Sequence, residues 1–342
     1  MKCVLTLITA LLLAPLAALH AAAAEDTRRD RIEVVRFQNN PIIRPEMLPG
    51  RDGENINGPS LIRTPAWLPN PLGKYYLYFA HHNGKYIRLA YADGLEGPWK
   101  IHEPGTLHLE EATGCTGHIA SPDVLVDDRR KEIRLYFHGP AKAGGGQKTF
   151  LAVSGDGLHF KAADEPLGIF YWRVFLWDGW WYAMAKGGLL YRSRDGKTNF
   201  EEGSNPFPGS ELRGKEYNAP GVRHVALHLS SNHLWVYYTN IGDAPERILR
   251  CRLELTGDWT TWKPLAPEEV LHPEAAWEGA LQPLKKSAAG PVKGPENALR
   301  DPAIFVEDGR VFLLYSVAGE RGIAIAECKA AASAATPPKD KP

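Results

Sequence analysis

Five short segments of this 342-residue chain gather the residue types that move protons or grip charge. They read Asn55-Ile-Asn57-Gly-Pro-Ser60, His118-Ile-Ala-Ser-Pro-Asp123-Val, Tyr171-Trp-Arg173-Val-Phe, Arg223-His224-Val-Ala-Leu and Arg300-Asp301-Pro-Ala-Ile-Phe305. Each sets polar or charged residues just before an apolar run. Carboxylates and imidazoles are suited to general acid–base work, so Asp123, Asp301, His118 and His224 are candidate catalytic groups. Glu278, in Trp277-Glu-Gly279, is a further carboxylate. A guanidinium grips carboxylate or sulfate in a fixed, bidentate way, so Arg173, Arg223 and Arg300 are candidates for holding an anion. An ion pair with Asp123, Asp301 or Glu278 is the alternative for each. Asn57, His82 and Tyr171 complete the candidate binding set. Histidines are numerous here: His81 and His82 follow one aromatic run and His138 ends another. Apart from that adjacent pair no close metal-ligand spacing appears, so no cofactor is expected, a metal ion bound among the histidines being the alternative.

Those segments need elements to hold them, and the pattern supplies strands. Aromatic-rich apolar runs recur as Tyr75–Ala80, Ile133–His138, Trp180–Ala185, Leu234–Thr239 and Val311–Ser316. Each is followed by a second extended run: Ile87–Tyr91, Phe150–Val153, Leu189–Arg192, Ile248–Leu253 and Ile323–Glu327. Four units close on an Asp turn and an aromatic: Asp93 with Trp99, Asp156 with Phe160, Asp195 with Phe200 and Asp258 with Trp262. Asp caps its own backbone and Gly accepts positive φ, which reverses the chain tightly. Five units at a spacing of about 40–80 residues, each a small antiparallel sheet, predict an all-β, five-bladed β-propeller. The fifth unit lacks its outer strand, and the free strand Ile32–Phe37 would complete it and leave no open sheet edge. A β-sandwich would explain the strands but not the repeated turn. In a propeller the five polar segments open the innermost strands and meet at one mouth of the channel.

Composition bounds the rest. Lys plus Arg (40) equals Asp plus Glu (40), so no charge bias points to nucleic acid or an anionic membrane. Lys2, the apolar run Val4–Leu19 and the small residues Ala21–Ala24 before Glu25 have the layout of a secretory signal peptide over residues 1–24. A membrane anchor is the alternative, for which the run is short of the roughly 20 residues a span needs. The expected product is secreted or periplasmic, with a propeller over 25–329 and a flexible tail over 330–342. Cys115, Cys251 and Cys328 are an odd number, so no disulfide framework organises the fold.

Ser121-Pro-Asp123-Val, Arg300-Asp301-Pro302-Ala-Ile-Phe, Glu307-Asp308-Gly309 and Leu313-Leu-Tyr-Ser316 resemble the five-bladed glycosidases, broadly glycoside hydrolase families 43, 117 and 130. The resemblance spans residues 32 to 328 and implies an oligo- or polysaccharide substrate, on whose rings Tyr171, Trp172 and Trp277 would stack. In family 43 the aspartate matching Asp123 tunes the catalytic acid. That family's base Asp falls where this chain has Asn57, and its acid Glu where this chain has Tyr171 and Arg173. An inverting mechanism needs two carboxyl groups about 6.5–9.5 Å apart. With two stations empty, Asp123, Glu278 and Asp301 are the remaining carboxylates, and His224 or His118 is the expected acid or base, as family 117 implies for a histidine. The first expectation is therefore a glycoside hydrolase, acting on an acidic or sulfated sugar if the arginines bind it. A polysaccharide lyase using His, Tyr and Arg is the second, and a non-catalytic sugar-binding propeller the third.

Overall fold

The computed structural model describes residues 32–207 and 221–331, so the proposed signal peptide and residues 332–342 of the tail lie outside the described residues. Residues 36–327 form one compact unit; the described part of a second, small unit is 32–35 with 328–331. Alternating aromatic and β-branched runs make strands throughout, arranged in five sheets, as predicted for a five-bladed propeller.

Blade one is Asn57–Arg63, Tyr75–Ala80, Tyr86–Ala92 and Lys100–His108, in sheet order. Blade two starts from Ala120–Asp127, Glu132–Pro140 and Gln147–Ser154, and blade three from Arg173–Trp177, Trp180–Met184 and Leu190–Ser193. Blade four runs Gly221–Ser230, His233–Ile241, Ile248–Glu254 and Glu268–Leu271. The fifth sheet runs Arg300–Glu307, Arg310–Ser316, Ile323–Ala330 and, outermost, Ile32–Arg36. Within the compact unit, the residues that follow the first strand join the last blade: Phe37 N–H donates to Ile325 O (3.2 Å), and the Asn40 amide bonds both the Ile325 oxygen (2.8 Å) and its N–H (2.9 Å).

The cores lie between blades. Trp99 packs in the cluster joining blades five and one, Phe160 between one and two, Phe200 between two and three, and Trp262 between three and four. Asp156 and Asp195 cap their own turns, accepting from the backbone N–H groups two and three residues on. Asp93 instead accepts from Lys74 N–H in a neighbouring loop. Trp172 faces the core between blades two and three, against Tyr191 and Phe200, and so does not stack on a ligand.

At the channel, the innermost strand bulges in four blades, between Asn57 and Ser60, Ala120 and Asp123, Val222 and Val225, and Arg300 and Ala303. Three bulges hold a positive-φ residue followed by proline: Gly58-Pro59 (61°), Ser121-Pro122 (46°) and Asp301-Pro302 (47°). Proline has no N–H to give the ladder, and a bulge tolerates that. Gly58 has a second constraint, since a Cβ there would sit 3.1 Å from Ser121 Cα of the next blade.

Arg36 and Glu278 lock the fifth blade. Glu278 is fully buried and takes Arg36 Nε at 2.8 Å, Tyr315 Oη at 3.0 Å and the backbone N–H groups of Glu274 and Ala275. Removing one partner of a buried pair strands the other charge, so Arg36→Met should cost about 3–5 kcal/mol in urea unfolding. Arg63→Met, which breaks a half-exposed pair with Glu307, should cost under about 1 kcal/mol.

Candidate active site

Arg173 sits where the five innermost strands converge. Its Nε donates to Val225 O (3.2 Å), Nη1 to Pro122 O (2.9 Å) and Asp123 Oδ1 (3.2 Å), and Nη2 to Pro59 O (3.1 Å) and Pro302 O (3.3 Å). A guanidinium has five N–H donors, and all five are used, on residues from each of the other four blades. Three acceptors are the bulge prolines. Asp123 is likewise committed, its second oxygen accepting from Val174 N–H at 2.8 Å, while burial pushes its carboxyl above the usual range.

Two cavities of comparable size lie along the innermost strands, and Arg173 lines the first. Further along the innermost strands, one of about 260 Å³ is lined by Leu61, Asp123, Val124 and Phe305. The other, about 320 Å³, lies toward the strand openings and is lined by His82, Gln147, Tyr171, Lys186, Arg223 and His224. Antiparallel pairing explains that lining, because the start of each innermost strand meets the end of its neighbour at one mouth.

Two histidine–carboxylate pairs belong to this pocket. His224 Nδ1 lies against Asp301 Oδ1, while its Nε2 is buried with no partner among the described residues. Burial lowers the His224 pKa below its usual value against the opposing pull of Asp301, with Arg223 and Lys186 adding to the lowering. Burial would raise the Asp301 carboxyl, but His224 and Arg300 outweigh it and hold it well below the carboxylate range. Asp301 also accepts from Ser316 Oγ at 3.1 Å. The second pair is His82 Nδ1 and Glu320 Oε1, 3.4 Å apart, with the Asn55 amide on the other Glu320 oxygen.

Tyr171 wedges between histidines, its ring centroid 4.1 Å from His224 and 4.4 Å from His138, both edge-on. It does so at φ 63°, a left-handed conformation that is uncommon for a bulky residue and marks stored strain. Burial, then Asp301, raise its phenol well above the usual value. Behind the pocket, fully buried Glu246 accepts from Arg223 Nε (2.7 Å), Arg300 Nε (2.9 Å) and Thr239 Oγ1 (2.8 Å). Among the described residues no three of His, Cys, Asp and Glu are grouped to hold a metal ion.

No family model matches the chain. Over 316 residues, 85% of this chain and 89% of the relative, it is 40% identical to the uncharacterized protein R118 of Acanthamoeba polyphaga mimivirus. The chain belongs to the R118 family. Solved structures similar in fold include a thermostable family-43 glycoside hydrolase, at 14% identity and TM-score 0.56 over 83% of this chain and 95% of that one. CoXyl43, a β-xylosidase/α-arabinofuranosidase from a compost microbial metagenome, matches at 15% identity and TM-score 0.55 (81% and 92%). A GH43_1 enzyme of Xanthomonas citri matches at 14% and 0.53 (83% and 90%). This chain therefore shares the fold of these solved structures.

Of the residues predicted from sequence, His82, Tyr171, Arg223 and His224 line the pocket, with Asp301 directly beneath. His118 stands beside it, hydrogen-bonded to Gln147 at 3.2 Å, and its pKa is lowered by burial. Others are corrected. Glu278 as a catalytic group is excluded by its burial with Arg36 and Tyr315. Asp123 faces the opposite cavity and is tied to Arg173. Arg173 has no donor left for a ligand. Arg300 is 1% exposed and spent on Glu246, Glu296 and Glu320, and Asn57 is buried against Asn55. Trp277 is half-buried and does not line the pocket. Lys186, Glu246 and Glu320 were missed; all three follow the second strand of a blade, the station that also carries His81-His82. Arg173→Lys keeps the charge but cannot span five acceptors, so it should lower stability by about 3 kcal/mol or more in urea unfolding, close to Arg173→Met.

Proposed function

We propose that this chain is a glycosidase that cleaves an acidic or sulfated oligo- or polysaccharide in the mouth pocket, with His224 as its general base. One observation carries the reading: a buried imidazole on the wall of a sugar-sized pocket, backed by a carboxylate on Nδ1 and with no partner for its buried Nε2 among the described residues. Burial favours the neutral ring, whose Nε2 lone pair accepts a proton from water as that water attacks the anomeric carbon. The glycosidic bond breaks, and the leaving oxygen takes the Nε2 proton of His82 in its imidazolium form, leaving a neutral ring whose Nδ1–H faces Glu320. Support for a sugar comes from the scaffold shared with family-43 glycoside hydrolases, one of them solved with xylotriose. The apolar N-terminal run supports a secreted or periplasmic location.

A lyase is the second reading, favoured by the withdrawal of Asp123 and Glu278 from the pocket. There the same His224 Nε2 removes the proton next to a uronate carboxylate, and the C–O bond breaks by β-elimination. Incubation with neutral, uronate and sulfated oligosaccharides separates the two. Hydrolysis yields new reducing ends alone, whereas elimination adds the ultraviolet absorbance of an unsaturated uronate. His224→Gln should lower kcat by about 10²–10⁴ while substrate binding persists; a variant within about threefold of the parent would contradict the assignment.

The base must be neutral, so kcat/KM should fall as pH drops through the lowered His224 pKa. Asp301 raises that pKa, and Asp301→Asn should therefore move the acid limb to still lower pH as well as reduce the rate. An unmoved limb would remove Asp301 from this positioning role.

A further inference from the structure

One cation on the pocket wall has no carboxylate within ion-pair distance among the described residues. Among the buried cations, Arg88 pairs with Asp52, Arg134 with Asp127, Arg223 and Arg300 with Glu246, and Arg250 with Glu268. Lys186, 6% exposed, is that cation. Its position is built, not incidental. The Lys186 N–H donates to Phe170 O at 3.0 Å, Gly188 N–H to Ala185 O at 2.9 Å, and the Asn205 amide fixes Gly187 O at 2.9 Å. The turn needs φ of 75° at Gly187 and 93° at Gly188, and a Cβ at Gly188 would strike Phe207 and Asn205. Burying an ammonium without an ion-pair partner is costly; the Phe170 ring, 5.8 Å from Nζ, and the field of Glu246 offset part of that cost, and an anion arriving in the pocket would offset more.

Arg223 lines the same pocket with capacity to spare. Glu246 and the Ala288 carbonyl take its Nε and Nη2, and no acceptor among the described residues takes Nη1. We infer that Lys186 and Arg223 Nη1 form an oxyanion subsite that selects substrates carrying a carboxylate or sulfate on the sugar seated against His224. This rests on the carbohydrate reading above and names the residues that enforce its charge. Consistent with it, burial and the adjacent Arg223 lower the Lys186 ammonium to about 8, a penalty a bound anion would reverse. A guanidinium supplies directed hydrogen bonds and an ammonium a compact point charge, a pairing suited to an oxyanion.

Calorimetric titration tests this without requiring turnover. The probes are trigalacturonate and its methyl ester, and a sulfated carrageenan oligosaccharide and its desulfated form. At least one charged probe should bind about tenfold or more tightly than its neutral counterpart, the scale of one charge-assisted hydrogen bond. Which pair shows the gap tells carboxylate from sulfate. Lys186→Met should close most of the gap and Lys186→Arg should keep it, with the far-ultraviolet circular dichroism and melting of both variants checked against the parent. Equal affinity for charged and neutral forms, an undiminished gap in Lys186→Met, or no binding of either charged probe would overturn the subsite. Because binding is read apart from cleavage, a protein that prefers the charged form yet never cuts it would uphold the subsite and defeat the glycosidase reading. Cleavage of neutral and charged sugars with equal affinity would do the opposite.

Discussion

A five-bladed propeller brings five innermost strands together at its centre, and here a single guanidinium ties them to one another. Arg173 joins its own blade to the other four through four backbone carbonyls and Asp123. The bulges at Pro59, Pro122 and Pro302 turn their carbonyls toward it, which gives the repeated positive-φ residue before each proline a reason. Carbonyls crowded around a narrow channel repel one another, and a central cation with five directed donors is the group that relieves this. Two cavities lie along the innermost strands, and the histidines gather at one of them.

That division sorts the polar residues. Below Arg173 the wall carries Ser60, Arg63 and a locked Asp123 among apolar side chains. Above it, the ends of paired strands bring histidines, Tyr171, Lys186 and Arg223 together over Asp301, while Glu246 and Glu320 stay buried behind. The carboxylates thus serve as supports that orient imidazoles and guanidiniums, and the pocket presents bases and cations to its ligand. Tyr171 is held in a strained backbone conformation between His138 and His224, a cost the surrounding packing sustains and which keeps both rings in place.

The blades were legible from sequence because each is a local pattern. The aromatic runs Tyr75–Ala80 and Val311–Ser316 fall on observed strands to within a residue, and Phe37, at the end of the expected N-terminal strand, bonds to Ile325 of the last blade. Half of the site was legible too, since residues opening an innermost strand must reach the mouth; His224, Asp301, Arg223 and Tyr171 were found that way. Residues closing the second strand reach the same mouth, and applying that rule throughout would have found Lys186, Glu246 and Glu320 beside His82. For Arg173 the alternative reading, an ion pair with Asp123, is the one that forms, whereas its four carbonyl partners leave no side-chain signature. Glu278 was misjudged because its partner Arg36 lies 242 residues away, a contact that only ring closure creates.

The account stands on one pocket being the place where sugar is bound and cut. Crystals of the His224→Gln protein soaked with an oligosaccharide that the parent cleaves would show this directly. The account predicts a sugar ring between Tyr171 and residue 224, with its anionic group on Lys186 and Arg223. Density for the sugar on the far side of Arg173, against Ser60 and Asp123, with the histidine pocket empty, would contradict it.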